Sequence, residues 1–142
     1  MKEYMFYGAS SLDIKDSFDK TPKDYYDLLS TIWSKETCAP RMQNEWSKDN
    51  KTLGQCSITA FLMQDIYGGV VLGIPLGDGN FHCFNKIGDV VFDLTSEQFK
   101  EKLDYNNSFL QDRSIHFQKE EKRKRYEYLK SELLKRLQNK NS

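Results

Sequence analysis

The sequence predicts one small α+β domain, and three observations predict it. From Cys56 to Tyr67, apolar side chains fall on every side of the helix that the spacing draws, and a helix without a polar face is a buried one. Three short runs rich in β-branched and aromatic residues follow between Val70 and Leu94, separated by Gly-Asp-Gly-Asn and Gly-Asp turns. Near the C-terminus, a long segment sets an apolar stripe at helical spacing against a charged face. At 142 residues the chain is long enough to bury a core without disulfide staples.

Taken in order, residues 1–20 mix aromatics with Ser, Asp and Lys without a period and read as a loosely attached arm or short extended segment. Residues 21–142 form the single domain. Thr21-Pro22 reads as an N-cap with proline at the first helical position. Tyr25, Leu29, Ile32 and Trp33 then mark an amphipathic helix of roughly a dozen residues. The polar stretch from Ser34 to Leu53 reads as a long irregular loop, and loops beyond about 15 residues are often functional. Gly54-Gln55-Cys56 opens the buried helix and Gly68-Gly69 ends it. Val70 to Leu76 is a strand in which Pro75 points to an edge or a bulge. Phe81 to Lys86 and Val90 to Leu94 are the second and third strands. Thr95 and Gln98 have capping-box spacing for a short helix, and residues 104 to 116 are irregular. The last helix runs from about Phe117 to Leu137. Tyr126, Leu129, Leu133 and Leu137 lie along one face, and Glu120/Lys124, Glu121/Arg125 and Glu132/Arg136 stand at i,i+4 on the other.

Composition narrows function by exclusion. Lys and Arg number 21 and Asp and Glu 21, so no net charge draws the chain to nucleic acid or an anionic membrane. No apolar run of about 18 residues is present to span a bilayer, and the N-terminus lacks the apolar stretch of a secretory leader. Three cysteines, Cys38, Cys56 and Cys83, form an odd set without framework spacing and read as reduced thiols of a cytoplasmic protein. The cluster Lys122-Arg123-Lys124-Arg125, flanked by glutamates, reads as a solvated helix face. No glycine-rich phosphate loop is found.

The chemistry centres on Cys56 and His82. A thiol at the start of a buried helix feels the positive end of the helix dipole and the unpaired amides of its first turn. Both favour the thiolate, the form in which a cysteine is a nucleophile. Gly54 lets the chain turn and leaves room for a substrate, which Gln55 and Trp46 are also expected to contact. If the hairpin turn spans Lys86 to Asp89, Asn85 pairs with Val90 and His82 falls opposite Asp93 on the same sheet face. A carboxylate there orients the imidazole and stabilises its cation, giving a cysteine–histidine–carboxylate triad. A slip of one residue would turn Asp93 to the other face.

Blander roles compete at each position. A buried cysteine is usually a small hydrophobe, a strand histidine is often structural, and Asp93 could cap the short helix that follows it. Cys38 reads as an inert loop thiol, His116 as exposed, and Trp33 and Trp46 as packing residues rather than base-stacking platforms. A zinc site from Cys56, His82, Cys83 and Asp93 is disfavoured, because residues 82 and 83 face opposite sides and no C-x-x-C pair exists. No metal or organic cofactor is called for.

The motifs Trp33-Ser34-x-Glu36-Thr37-Cys38-x-Pro40, Gly54-Gln55-Cys56-x-x-Thr59-Ala60 and Gln64-Asp65-x-x-Gly68-Gly69 stand in one order with Trp46 between the first two. His82-x-x-Asn85, Asp93-Leu94-Thr95-x-x-Gln98-Phe99 and Arg125-Tyr126-x-x-Leu129 continue that order. Over about residues 25 to 137 this pattern resembles the YunG-like family of small bacterial proteins. The resemblance implies a compact relative of the papain-like and transglutaminase-like cysteine fold: a central helix bearing the cysteine, packed on an antiparallel sheet bearing His and Asp. It points again to Cys56, His82 and Asp93, and sets Cys83 where relatives often carry an aromatic.

The sequence therefore leads to a papain-like α+β domain with a thiol-based acyl-transfer site of peptidase, amidase, deamidase or transglutaminase type. Cys56 would attack an amide or ester carbonyl of an unknown peptide or amide substrate, His82 would exchange the proton and Asp93 would orient His82. The Cys56 amide would be one oxyanion donor, with Gln43 and Asn50 as candidates for the second. The competing expectation is a binding module that holds a peptide or small ligand in the same cleft without turnover.

Overall fold

A computed structural model describes residues 4–9 and 19–140. Thr21 accepts from the Asp24 amide while the Asp24 carboxylate reaches back to the Thr21 amide, and this closed capping box starts α1, Pro22–Ser30. The helix is shorter than the periodicity predicts. Ile32 and Trp33 are still buried, but they belong to a turn after the helix has ended. The predicted loop from Ser34 holds a 3₁₀ helix at Pro40–Glu45. Proline at its first position preorganises that turn.

The second helix, α2 (Cys56–Tyr67), is followed by β1 (Val70–Pro75), β2 (Phe81–Ile87) and β3 (Val90–Phe92). A two-residue strand β4 (Phe109–Leu110) and a single-turn helix α3 (Arg113–His116) lie in the stretch expected to be irregular. The chain closes with α4 (Glu120–Lys140). The sheet is antiparallel with the order β3-β2-β1-β4. Pro75 is tolerated because β4 pairs only with Leu72 and Gly73, so no neighbour on that side asks for an amide at position 75.

Helix α2 lies between the sheet and α4. Ile58, Phe61, Leu62 and Met63 are fully buried, as the apolar-all-round pattern predicts. Asn85 on β2 faces the helix and its side-chain amide donates to the Ala60 carbonyl at 2.8 Å. Tyr126, Leu129 and Leu133 of α4 are buried against α2, and the three i,i+4 ion pairs Glu120–Lys124, Glu121–Arg125 and Glu132–Arg136 form on its flank.

Part of the stretch read as an arm belongs to the core. Phe6 is buried and stacks on Tyr26 with ring centroids 5.1 Å apart, and the Tyr7 carbonyl accepts from the Asp93 amide at 3.0 Å. The Tyr7 amide donates to Ser96 Oγ at 2.8 Å. These contacts tie residues 4–9 to the end of β3. The remainder of the 1–20 arm, residues 1–3 and 10–18, lies outside the described residues.

Candidate active site

Cys56 is the first residue of α2, and the backbone before it is bent to put it there. Gly54 has φ +72, in the region that favours glycine. A Cβ at Gly54 would also sit 2.5 Å from Cys38 Sγ and 2.9 Å from the Ala39 nitrogen. The turn is held on both sides: Ala39 N–H donates to the Gly54 carbonyl at 2.9 Å, and Gly54 N–H donates to Gln98 Oε1 at 3.3 Å. No side chain caps α2, since Gln55 at the N-cap makes no capping bond. The first-turn amides have no helical carbonyl behind them, and Cys56 and Ser57 of that turn line the cleft.

The hairpin that carries His82 has a tighter turn than the sequence reading assumed. Ile87 pairs with Val90 and Asn85 with Phe92, so the turn is Gly88-Asp89 alone. Against the expected pairing of Asn85 with Val90, β3 is displaced by two residues. A two-residue shift preserves faces where a one-residue shift would invert them. Asp93 thus stays on the His82 face, now on the diagonal, and its Oδ2 lies 2.6 Å from His82 Nε2. Both groups are buried.

Asp93 is held on all sides. Oδ2 also accepts from the Tyr105 hydroxyl at 2.8 Å, and Oδ1 accepts from the Thr95 amide at 3.2 Å and its hydroxyl at 3.4 Å. The carboxylate therefore both caps the turn that follows and grips the imidazole. The 3₁₀ turn Ser96–Gln98 has no Thr95 side-chain cap, because that hydroxyl is turned to Asp93. Phe99 packs edge-on against the His82 ring with centroids 4.6 Å apart.

With Nε2 committed to Asp93, the other ring nitrogen is left for Cys56. Nδ1 is buried and has no partner of good hydrogen-bond geometry among the described residues, yet ring and sulfur interact strongly enough to shift each other. Cys56 Sγ lies 3.8 Å from the Phe81 carbonyl oxygen. Burial by itself would lower the His82 pKa; the Asp93 charge and hydrogen bond, with the Cys56 sulfur, outweigh it and push it up to about 10. The neighbouring Cys83 thiol and then the His82 cation outweigh burial at Cys56 and hold it well below the ordinary thiol value. Cys83 moves the opposite way, pushed well up by the neighbouring Cys56 sulfur and by burial. The arrangement favours thiolate at Cys56 and imidazolium at His82.

Cys56 and His82 line a cleft of ≈ 390 Å³ together with Pro40, Met42, Gly54, Leu76, Phe81 and Phe99. Among the residues read as substrate contacts, Gly54 lines it. Gln55 and Trp46 do not: Gln55 is fully buried and donates to the Ser34 carbonyl at 3.1 Å, and Trp46 donates to the Lys51 carbonyl at 2.9 Å. Gln43 and Asn50 also stand away from the cleft. Gln43 is turned to the Cys38 carbonyl at 3.4 Å, and Asn50 closes a turn with Ser47. Cys38 is buried beneath the cleft wall, where desolvation raises its pKa, in keeping with an inert thiol.

Two predicted surface features are drawn inward. His116 is half-buried rather than exposed, with Nε2 donating to Gln111 Oε1 at 2.9 Å and Nδ1 accepting from Lys122 Nζ at 2.9 Å. Burial and the Lys122 charge pull its pKa down to about 4, so it is neutral. The basic cluster splits by helical phase. Arg123 and Lys124 are solvated, whereas Lys122 and Arg125 turn to the cleft and Arg125 donates to the buried Thr37 carbonyl at 3.0 Å. Tyr105, which completes the grip on Asp93, was not legible: it stands alone in an irregular stretch with no period to orient it. No group of three or more His, Cys, Asp or Glu placed to hold a metal occurs among the described residues.

These features define a class: a small α+β domain that sets a cysteine at a helix N-terminus beside a buried histidine–carboxylate pair. The YunG protein family model matches residues 21–138, and the chain belongs to that family. It is similar to the uncharacterized protein YunG of Bacillus subtilis (strain 168), with 32% identity over 80 residues. That match covers 56% of this chain and 64% of the relative, under two thirds of the relative's length. No solved structure matches the chain significantly. No helix among the described residues is long and apolar enough to cross a membrane.

Proposed function

We propose that this chain is a thiol-dependent acyl-transfer enzyme on a compact papain-like or transglutaminase-like frame, acting on a peptide or amide carbonyl. The observation that carries the reading is the buried His82, gripped by Asp93 at 2.6 Å beside Cys56 in the cleft. The Cys56 thiolate adds to the carbonyl carbon, and the oxyanion so formed is received by the first-turn amides of α2. His82, carrying a proton on the ring nitrogen nearest the sulfur, passes it to the departing amine as the C–N bond breaks. A thioester on Cys56 and a neutral imidazole remain. Water or an amine then attacks the thioester, His82 takes its proton, and the thiolate leaves. Asp93 keeps the ring in register throughout. The three free cysteines suit a reducing compartment, and we place the protein in the cytoplasm.

The test uses an activated ester. Mixing the protein with p-nitrophenyl acetate is expected to release a stoichiometric burst of nitrophenolate and leave one acetyl group, which peptide mapping places on Cys56. Acetylation confined to lysines, or spread equally over Cys38, Cys56 and Cys83, would replace this reading by a ligand-binding module.

A further inference from the structure

Cations crowd the lining of this cleft in a chain whose acidic and basic residues balance at 21 each. Arg41, Lys119, Lys122 and Arg125 line it, against the single acid Glu121. Glu121 is already spent: its carboxylate accepts from Arg125 Nε at 2.8 Å, and Arg125 gives a second donor to Thr37. Arg41 feels Asp78 outside the lining, Lys119 has no ion pair among the described residues, and Lys122 gives one of its N–H donors to neutral His116. Three positive charges are thus left with no carboxylate in the cleft to answer them. The walls between them are apolar, from Pro40, Met42 and Phe99. Low-dielectric walls lined by one sign of charge focus the field into the cleft.

We infer that the cleft takes an acyl donor bearing a carboxylate close to the carbonyl under attack, such as an acidic residue or the C-terminal end of a peptide. The inference rests on the acyl-transfer reading and adds its substrate class. A carboxylate is the common anion of amide and peptide donors, and Lys119 and Lys122 stand where α4 begins, alongside Cys56 in the same lining. Lys122 is half-buried: desolvation lowers its pKa, and the charge it carries is less screened than that of a surface lysine.

Iodoacetate and iodoacetamide test this on Cys56 itself. The thiolate displaces iodide from each, and the reagents differ in charge but hardly in size. The ratio of their rates at Cys56, divided by the same ratio for a neutral cysteine peptide, measures attraction for the carboxylate. At low salt the normalised ratio is expected to be roughly 10, and to fall towards one at high ionic strength. It is also expected to collapse in Lys119→Gln/Lys122→Gln. Lys119→Gln/Arg41→Gln, which changes only exposed side chains, is expected to lower it several-fold with the fold untouched. A normalised ratio near one, or a high ratio that survives both double variants and so comes from the imidazolium alone, overturns the inference while fast iodoacetamide labelling leaves acyl transfer standing. Slow labelling by both reagents overturns acyl transfer and this inference with it.

Discussion

Replacing His82 by alanine is expected to slow acylation of Cys56 by roughly 10²–10⁴-fold, the range for loss of a positioned acid–base group. Two contributions disappear together. The imidazolium that helps keep Cys56 ionised is gone, and so is the proton donor to the leaving group. The neighbouring Cys83 thiol, the leading cause of the depressed Cys56 pKa, remains, so some thiolate survives in the variant. Acylation by an ester with a good leaving group should therefore suffer less than acylation by an amide, whose amine needs the proton. Burst rates with p-nitrophenyl acetate and with an anilide check this. Equal losses on both substrates would mean that His82 acts only by electrostatics, and an unchanged rate would remove it from the mechanism.

Asp93→Ala is expected to destabilise the fold by about 3–5 kcal/mol, the range for breaking one side of a buried ion pair. The substitution strips the acceptor from His82 Nε2, the Tyr105 hydroxyl and the Thr95 amide and hydroxyl, four donors in and around a buried site. The loss carries a pH signature. His82 is raised in the fold from 6.5 to about 10, chiefly against desolvation through Asp93, so its contribution is complete below about pH 6.5 and fades as pH rises through about 10. The gap in stability between the natural protein and the variant should narrow over that window. Cys56 works in the opposite sense: its lowered pKa stabilises the fold at high pH, and that contribution is lost as pH falls through the folded value. Because Cys83 is the larger cause at Cys56, the thiol contribution persists in large part in the variant. Urea midpoints at a series of pH values measure the gap, and a gap that widens towards pH 10 would contradict the ion-pair account.

Much of this architecture was legible because periodicity speaks clearly for buried elements. The apolar-all-round run placed α2, and the stripe through Tyr126, Leu129 and Leu133 placed α4 with its three flanking ion pairs. His82 and Asp93 were paired from sequence through a register that proved two residues off. The pairing survived because strand faces repeat every second residue. What failed was local and tertiary. Gln55 and Trp46 stand next to the site in sequence, but nothing in a one-dimensional pattern says whether such a side chain turns to the cleft or to the backbone of a neighbouring loop. Phe6 and Tyr105 come from segments without a period, and their partners Tyr26 and Asp93 lie 20 and 12 residues away. The run Lys122 to Arg125 looked uniform, yet helical phase turns Lys122 and Arg125 inward and leaves the two residues between them in solvent.

The central claim is an ionised Cys56 paired with His82, and the pH dependence of its alkylation tests that most directly. Iodoacetamide labelling of the folded protein, resolved by peptide mapping, should modify Cys56 well below the ~8.5 at which a free cysteine ionises. Cys38 and Cys83, both raised, should stay unmodified there. A Cys56 that labels only as pH climbs past that ordinary value, no faster than its two neighbours, would contradict the account.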